Sequence, residues 1–195
     1  MSYLKTIEYE IILKKSFGVI RNCPKCGRKT HFKNTKKFRV NANGNKLDIW
    51  LIYQCEACKH TLNLAIYERQ KVSSIPKEEY QQFLDNNAQF AETVGKSIPL
   101  FRRNKADIDF DRIDYELVKL HETTGCGKLD GQILITVNNP YGLKIRPEKQ
   151  IAMVLGISRS QAKHLLDNGE AEIKTQLPQS ISISINSCHL PTDQI

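Results

Sequence analysis

Cys23-Pro24-Lys25-Cys26-Gly27 and, with 28 residues between Cys26 and Cys55, Cys55-Glu56-Ala57-Cys58 are the stretches on which the reading of this chain turns. Two residues between a pair of cysteines let both thiolates aim at one ion from a tight knuckle, and two such pairs make a closed tetrahedral site, the structural form of zinc coordination. Gly27 stands just past the first knuckle, where a side chain is unwelcome. Between the pairs run Lys37-Phe38-Arg39-Val40-Asn41 and Lys46 to Gln54, separated by Asn43-Gly44. Asn-Gly between two such runs is a strong hairpin signal, and the hairpin accounts for the long spacing while carrying the two knuckles together. Leu47, Ile49, Trp50, Leu51, Ile52 and Tyr53 are nearly continuous in apolar residues, so this strand is expected to be covered on both faces.

Other uses of paired cysteines compete with zinc. A rubredoxin-like iron site takes similar ligands, although such proteins tend to be acidic. Two disulfides need an oxidising compartment, and the charged start Lys5-Thr6-Ile7-Glu8 does not read as a signal peptide, so a cytoplasmic location is expected. A catalytic Cys-x2-Cys pair belongs beside a βαβ unit, not on either side of a hairpin. The expected cofactor is therefore one zinc per chain, with iron behind it. Four protein sulfurs leave no open position for water, which points to structure and not hydrolysis. Lys25, Arg28, Lys29 and Lys59 are expected to favour thiolate over thiol.

Charge gives the second signal. The 195 residues carry a net charge of +8, and residues 1–60 alone hold 13 Lys+Arg against 4 Asp+Glu. Charge gathered on a small module suggests a polyanionic partner; the plain alternative is that the lysines keep a β-rich module soluble. Lys25, Arg28, Lys29, Lys33, Lys36, Lys37 and Arg39 are the candidate phosphate contacts. Such contacts position a nucleic acid without reading its sequence. Forty per cent hydrophobic and 26% charged residues suffice for a core. Mean hydropathy is −0.44, and no run approaches 18 apolar residues, so no membrane association is expected.

Working outward, residues 3–22 alternate polar and apolar like a strand, and Thr61 to Tyr67 can add to the hairpin sheet. After Ser73-Ser74-Ile75-Pro76 the composition turns helical. One helix is expected from Pro76 to Leu84 and another from Ala88 to about Arg103, which Pro99 kinks or ends. Strands follow at Tyr115–Leu120, Ile133–Val137 and Ile181–Ile185. The expected domains are a zinc-ribbon β module over 1–72 and an α+β region over 73–195, and the fold class is α+β.

A helical pair is expected over 147–168. Pro147 suits a first helical position, Gly156 a C-terminal stop, and Ser158 with Gln161 forms a capping box. Ala162, Leu165 and Leu166 share one face. The stretch fits a helix-turn-helix and also an S4-like RNA-binding hairpin, with Arg159 and Lys163 as contacts. Glu170 and Glu172 fit neither well, residues 144–174 hold 6 Lys+Arg against 4 Asp+Glu, and capping plus an apolar face would alone produce this sequence.

Weaker patterns fall away. Asp107-Ile108-Asp109-Phe110-Asp111 opens like a calcium loop, but Arg112 and Val118 stand where its Gly and Glu belong. Thr124-Gly125-Cys126-Gly127-Lys128 lacks the phosphate-loop pattern. Cys126 with His121, and Cys188 with His189, give no spatial pairing to build catalysis on. His31 and His60 lie near the knuckles and read as surface histidines.

The blocks Cys23-Pro24-Lys25-Cys26-Gly27, Phe38 to Gly44, Trp50 to Cys55, Ile66 to Arg69 and Arg146 to Gly169 resemble a bacterial domain-of-unknown-function family, the one numbered ten sixty-two. The resemblance covers most of the chain. It implies the four-cysteine site and no activity. The expectation is a non-catalytic zinc-ribbon protein that binds nucleic acid, RNA slightly ahead of DNA. The alternatives are a zinc-stabilised protein-interaction adaptor and an enzyme whose site the sequence does not reveal. Oligomeric state is not legible.

Overall fold

A computed structural model describes residues 5–124 and 131–186. Along the chain these form β1 (Lys5–Leu13), β2 (Val19–Cys23), β3 (Arg28–Asn43), β4 (Lys46–Cys55), β5 (Thr61–Lys71), α1 (Lys77–Leu84), α2 (Ala88–Val94), α3 (Ile98–Arg103), β6 (Tyr115–Thr124), β7 (Gln132–Asn138), α4 (Pro147–Leu155), α5 (Arg159–Asp167), β8 (Ala171–Leu177) and β9 (Ser180–Asn186). The α+β class stands. Cys126, Cys188 and His189 lie outside the described residues.

The chain divides into two compact units, residues 13–114 and residues 1–12 with 115–195. The expected boundary at 72/73 therefore moves. The helices after Pro76 belong with the cysteine sheet, and the N-terminal strand belongs with the C-terminal half. Both corrections have one cause. The apolar faces of α1, α2 and α3 find their partner on β3 and β5, whereas β1 pairs in parallel with β7, Lys5 opposite Ile133 through Glu10 opposite Asn138. A pairing across that sequence separation leaves no local trace.

In the unit of residues 13–114, four antiparallel strands lie in the order β2-β3-β4-β5. The β3–β4 hairpin turns on Gly44 and Asn45, with Asn43 opposite Lys46. That is one residue later than expected, with Gly44 at φ 61° in the position that needs it. Strand β4 is buried on one face only. Leu47, Ile49, Leu51, Tyr53 and Cys55 point into the core, while Asp48, Trp50, Ile52 and Gln54 are half-buried. The expectation of two covered faces fails because the helices cover one face alone. That face carries an aromatic core: Phe38 meets Phe83 edge-on at 4.8 Å, Phe83 meets Phe90 at 5.4 Å, and Phe101 meets Phe17 at 5.6 Å. Fully burying one such ring contributes roughly 1.5–3 kcal/mol.

The expected helix through Pro99 is two helices. α2 ends at Gly95, and Pro99 sits in the first turn of α3, where its missing N–H costs nothing. Gly95 lies close against the side chains of Ser16, Asn34 and Tyr53, and its carbonyl accepts the Phe17 N–H at 3.0 Å. A Cβ on it would lie 2.6 Å from Ser16 Cβ and 2.7 Å from Asn34 Nδ2.

In the other unit, the strands run β6-β1-β7-β9-β8, with β7, β9 and β8 antiparallel. The helical pair is as the sequence spells it. Pro147 starts α4, Gly156 ends it at φ 66°, and Ser158 and Gln161 close both bonds of the capping box. Ala162 and Leu165 are buried, and Leu166 is half-buried. Among the described residues, no helix is long and apolar enough to cross a membrane.

Candidate metal centre and its basic surroundings

Cys23 ends β2, and the turn 24–27 returns the chain into β3. Cys55 ends β4, and the turn 56–58 leads toward β5. Because β3 runs between them, with Cys23 opposite Arg28 and Phe32 opposite Cys55, the two knuckles meet at one end of the sheet. All four sulfurs lie within 4.8 Å of one another, Cys23 and Cys58 at 3.5 Å and Cys26 and Cys55 at 3.9 Å. Sulfurs about 2.3 Å from a tetrahedral centre stand roughly 3.8 Å apart, so the cluster fits a four-coordinate metal. Cys23 and Cys55 are buried, and Cys26 and Cys58 half-buried.

The two knuckles repeat one backbone shape. Gly27 N–H donates to the Cys23 carbonyl at 2.9 Å, and Lys59 N–H to the Cys55 carbonyl at 3.0 Å. Gly27 has φ 66° and Lys59 φ 63°. A Cβ on Gly27 would touch nothing within 4 Å, so glycine is there for its left-handed backbone and not for space. Lys59 accepts the same conformation with a side chain.

The thiols differ in acidity. The hydroxyl of Thr30, 3.3 Å from Cys55 Sγ, is the largest influence on Cys55. It works against burial and with the backbone N–H groups of Cys58 and Ala57 to bring that thiol down to about 6. At Cys23 burial pushes up, but the N–H groups of Cys26 and Lys25 and the Cys58 thiol outweigh it. Cys26 is pushed up to about 12, first by its bond to Cys58, since adjacent sulfurs without a cation cannot all ionise. Thr30, which sequence reasoning missed, is the strongest of these influences on Cys55.

Neither histidine joins the sulfurs. His31, expected as a surface residue, is half-buried, and its Nδ1 lies 2.6 Å from Oδ2 of the buried Asp109. His60 is exposed, and its carbonyl accepts the Cys55 N–H. Asp109 belongs to a strap held along β2 by Ile20 N–H to Asp107 O and Asp109 N–H to Gly18 O. Arg112 on the strap reaches Glu56 in the second knuckle at 2.8 Å. The calcium-like acidic run is thus a clamp on the sheet edge.

A family model described as a protein of unknown function, DUF1062, matches residues 40–177. The chain belongs to the DUF1062 family. No curated protein and no solved structure matches it. The matched span of this DUF1062 chain includes Cys55, Cys58 and the helical pair, and it begins after Cys23 and Cys26.

The basic excess of the DUF1062 chain follows its two units. Residues 13–114 carry 20 Lys+Arg against 11 Asp+Glu; the remainder carries 9 against 10. Lys25, Arg28, Lys29, Lys33, Lys36, Lys37 and Arg39 are all exposed. Lys33, Lys36 and Lys37 converge with Lys15 on a cleft of about 780 Å³, whose wall includes Asn34, Ile52, Gln54 and Glu92. Lys36 is paired with Glu92 at 3.1 Å and Lys15 with Asp114 at 3.5 Å. Glu92 also accepts the Ser16 N–H at 2.5 Å. Arg39 places its guanidinium 5.9 Å from the Trp50 ring centroid. Lys25, Arg28 and Lys29 lie at the first knuckle, away from the lining of the cleft. Arg159 and Lys163 sit in the other unit, exposed and one turn apart on α5. No sequence signal announced the cleft, because it forms where Ser16-Phe17-Gly18, the middle of β3 and α2 meet.

Proposed function

We propose that this DUF1062 protein is a zinc-stabilised, non-catalytic nucleic-acid-binding protein, RNA ahead of DNA, whose main contact surface lies in the unit of residues 13–114. The observation that carries the reading is the coincidence of three features in that unit: a four-sulfur cluster, the whole basic excess of the chain, and four lysines around one cleft. In this reading Cys23, Cys26, Cys55 and Cys58 hold the metal as a zinc ribbon. The closed donor set leaves the metal a folding role. Zinc is preferred to iron for the basic surroundings. RNA is preferred for the α4–α5 pair followed by the β8–β9 hairpin, an S4-like sequence of elements with Arg159 and Lys163 outward.

Lys33 and Lys37, for which no acidic partner is described, are the lysines expected to meet phosphate. Each phosphate neutralised on a single strand steepens the log–log dependence of affinity on salt by about 0.7. Lys33→Gln with Lys37→Gln should flatten the slope by about 1.4 in an anisotropy titration of labelled RNA. An unchanged slope and affinity in the folded double variant would remove the reading.

A further inference from the structure

We infer that the nucleic acid this unit accepts is single-stranded, with unpaired bases along the β4 stripe Trp50, Ile52 and Gln54 and the sugar–phosphate chain along the β3 cations Lys33, Lys37 and Arg39. The inference rests on the nucleic-acid reading above and adds the form of the ligand.

Register places the two rows side by side. Lys33 is opposite Gln54 and Arg39 is opposite Trp50. Paired strands are about 4.8 Å apart, and residues two apart on one strand share a face, so Trp50, Ile52 and Gln54 form a stripe roughly 13 Å long flanked by cations. The ladder is interrupted in the middle. Asn34 pairs with Tyr53 and Phe38 with Leu51, so Thr35, Lys36 and Lys37 together stand opposite Ile52 alone. This bulge is well held. Thr35 Oγ1 donates to the Ile52 carbonyl at 2.8 Å, the Lys36 N–H donates to Asn34 Oδ1 at 2.8 Å, and Lys36 takes φ 59°. A regular ladder would put one residue there; the bulge puts two lysines. Bulges beside functional sites re-aim side chains in this way.

The aromatic group decides between strand forms. Trp50 is the single tryptophan of the chain and is half-buried, unlike the aromatic residues of the core face, Phe38, Tyr53 and Phe83, which are buried. An aromatic ring flanked by cations on a sheet is a platform on which an unpaired base stacks whatever its identity, and the Arg39 guanidinium beside it can serve ring and phosphate at once. A duplex keeps its base faces inside its own stack and would meet only the lysines. The cleft holds one carboxylate, Glu92, and that charge is already met by Lys36.

The test uses the full-length metal-loaded protein, a labelled oligouridylate of about 12 nucleotides and a labelled RNA duplex of similar length, at about 50 mM salt. Anisotropy gives affinity, and fluorescence excited at the red edge, beyond the absorption of the seven tyrosines, reports Trp50 alone. The expected result is binding of oligouridylate with a quench of Trp50. Trp50→Leu should weaken that binding roughly five- to a hundredfold, Trp50→Phe should restore most of it, and duplex affinity should change less than twofold in either. Binding of both probes with a silent Trp50 and an inert Trp50→Leu would overturn this inference and leave the nucleic-acid reading standing. Equal losses in Trp50→Leu and Trp50→Phe would assign the ring to packing and overturn it as well. Failure of both probes to bind would remove the nucleic-acid reading itself.

Discussion

Gly95→Ala should destabilise the unit of residues 13–114, although by local rules it should help. Gly95 ends α2 at φ −69° and ψ −3°, a conformation alanine accepts freely. At such a site glycine to alanine ordinarily stabilises by about 0.4–1 kcal/mol through the unfolded chain. Here the new methyl would stand 2.6 Å from Ser16 Cβ, 2.7 Å from Asn34 Nδ2 and 3.1 Å from the Tyr53 hydroxyl. None of the three has an easy retreat. The Ser16 N–H is bonded to Glu92 at 2.5 Å, Asn34 donates to Ser16 Oγ at 3.1 Å and to the Ala91 carbonyl at 2.9 Å, and Tyr53 donates to the Phe17 carbonyl at 2.9 Å. Overpacking of this kind costs about 1–3 kcal/mol, and each hydrogen bond lost adds about 1. After the favourable term is subtracted, a net loss of about 2–3 kcal/mol remains, a fall in Tm on the order of 10 °C. A thermal melt of the metal-loaded protein followed by circular dichroism measures it. Adding Ser16→Gly should recover part of the loss by removing the nearest carbon. A Tm unchanged or raised in Gly95→Ala would refute the close approach of α2 to the Ser16 and Asn34 segments, and with it the shape of the lysine cleft.

Other expectations concern the helical pair and acid. Arg159→Ala with Lys163→Ala should weaken RNA binding and leave Tm nearly unchanged, since exposed substitutions stay within about 0.5 kcal/mol, whereas Leu165→Ala should cost roughly 2–5 kcal/mol through a cavity. A double variant that loses stability and keeps binding would make the pair scaffold alone. At Glu92 burial pushes the carboxyl up, but the Ser16 N–H and Lys36 outweigh it and hold the group below the ordinary carboxylate range. The stability this gives is present above the unfolded value near 4.3 and is lost as pH falls through the lower folded value. Urea titrations from pH 6 downward should show that loss, and Glu92→Gln should reduce it; an identical acid profile in the variant would contradict the pairing.

What could be read in advance was local, and what could not was long-range. The knuckles, the capping box at Ser158 and Gln161, the stop at Gly156 and the alternation of β9 each depend on a few neighbouring residues, and each is found in the structure. The allegiance of β1 to β7 depends on residues far apart in sequence, so an alternating strand at the N-terminus was visible while its sheet was not. Trp50 and Ile52 made β4 look buried on both faces because an apolar run does not tell a buried face from a half-buried one. The cleft and the pairing of His31 with Asp109 were hidden because each joins segments far apart in sequence. The single lysine of Cys55-Glu56-Ala57-Cys58-Lys59 that adopts the glycine conformation shows a shared knuckle geometry that composition alone would not suggest.

The closed four-sulfur site underlies the rest, and elemental analysis of the protein purified without added metal tests it most directly. One zinc per chain is expected, lost together with cooperative unfolding of the unit in Cys55→Ser, because binding of structural zinc is folding free energy on the order of 10 kcal/mol. Iron at one per chain would contradict the zinc assignment, and no metal with four freely titrating thiols at Cys23, Cys26, Cys55 and Cys58 would contradict the site.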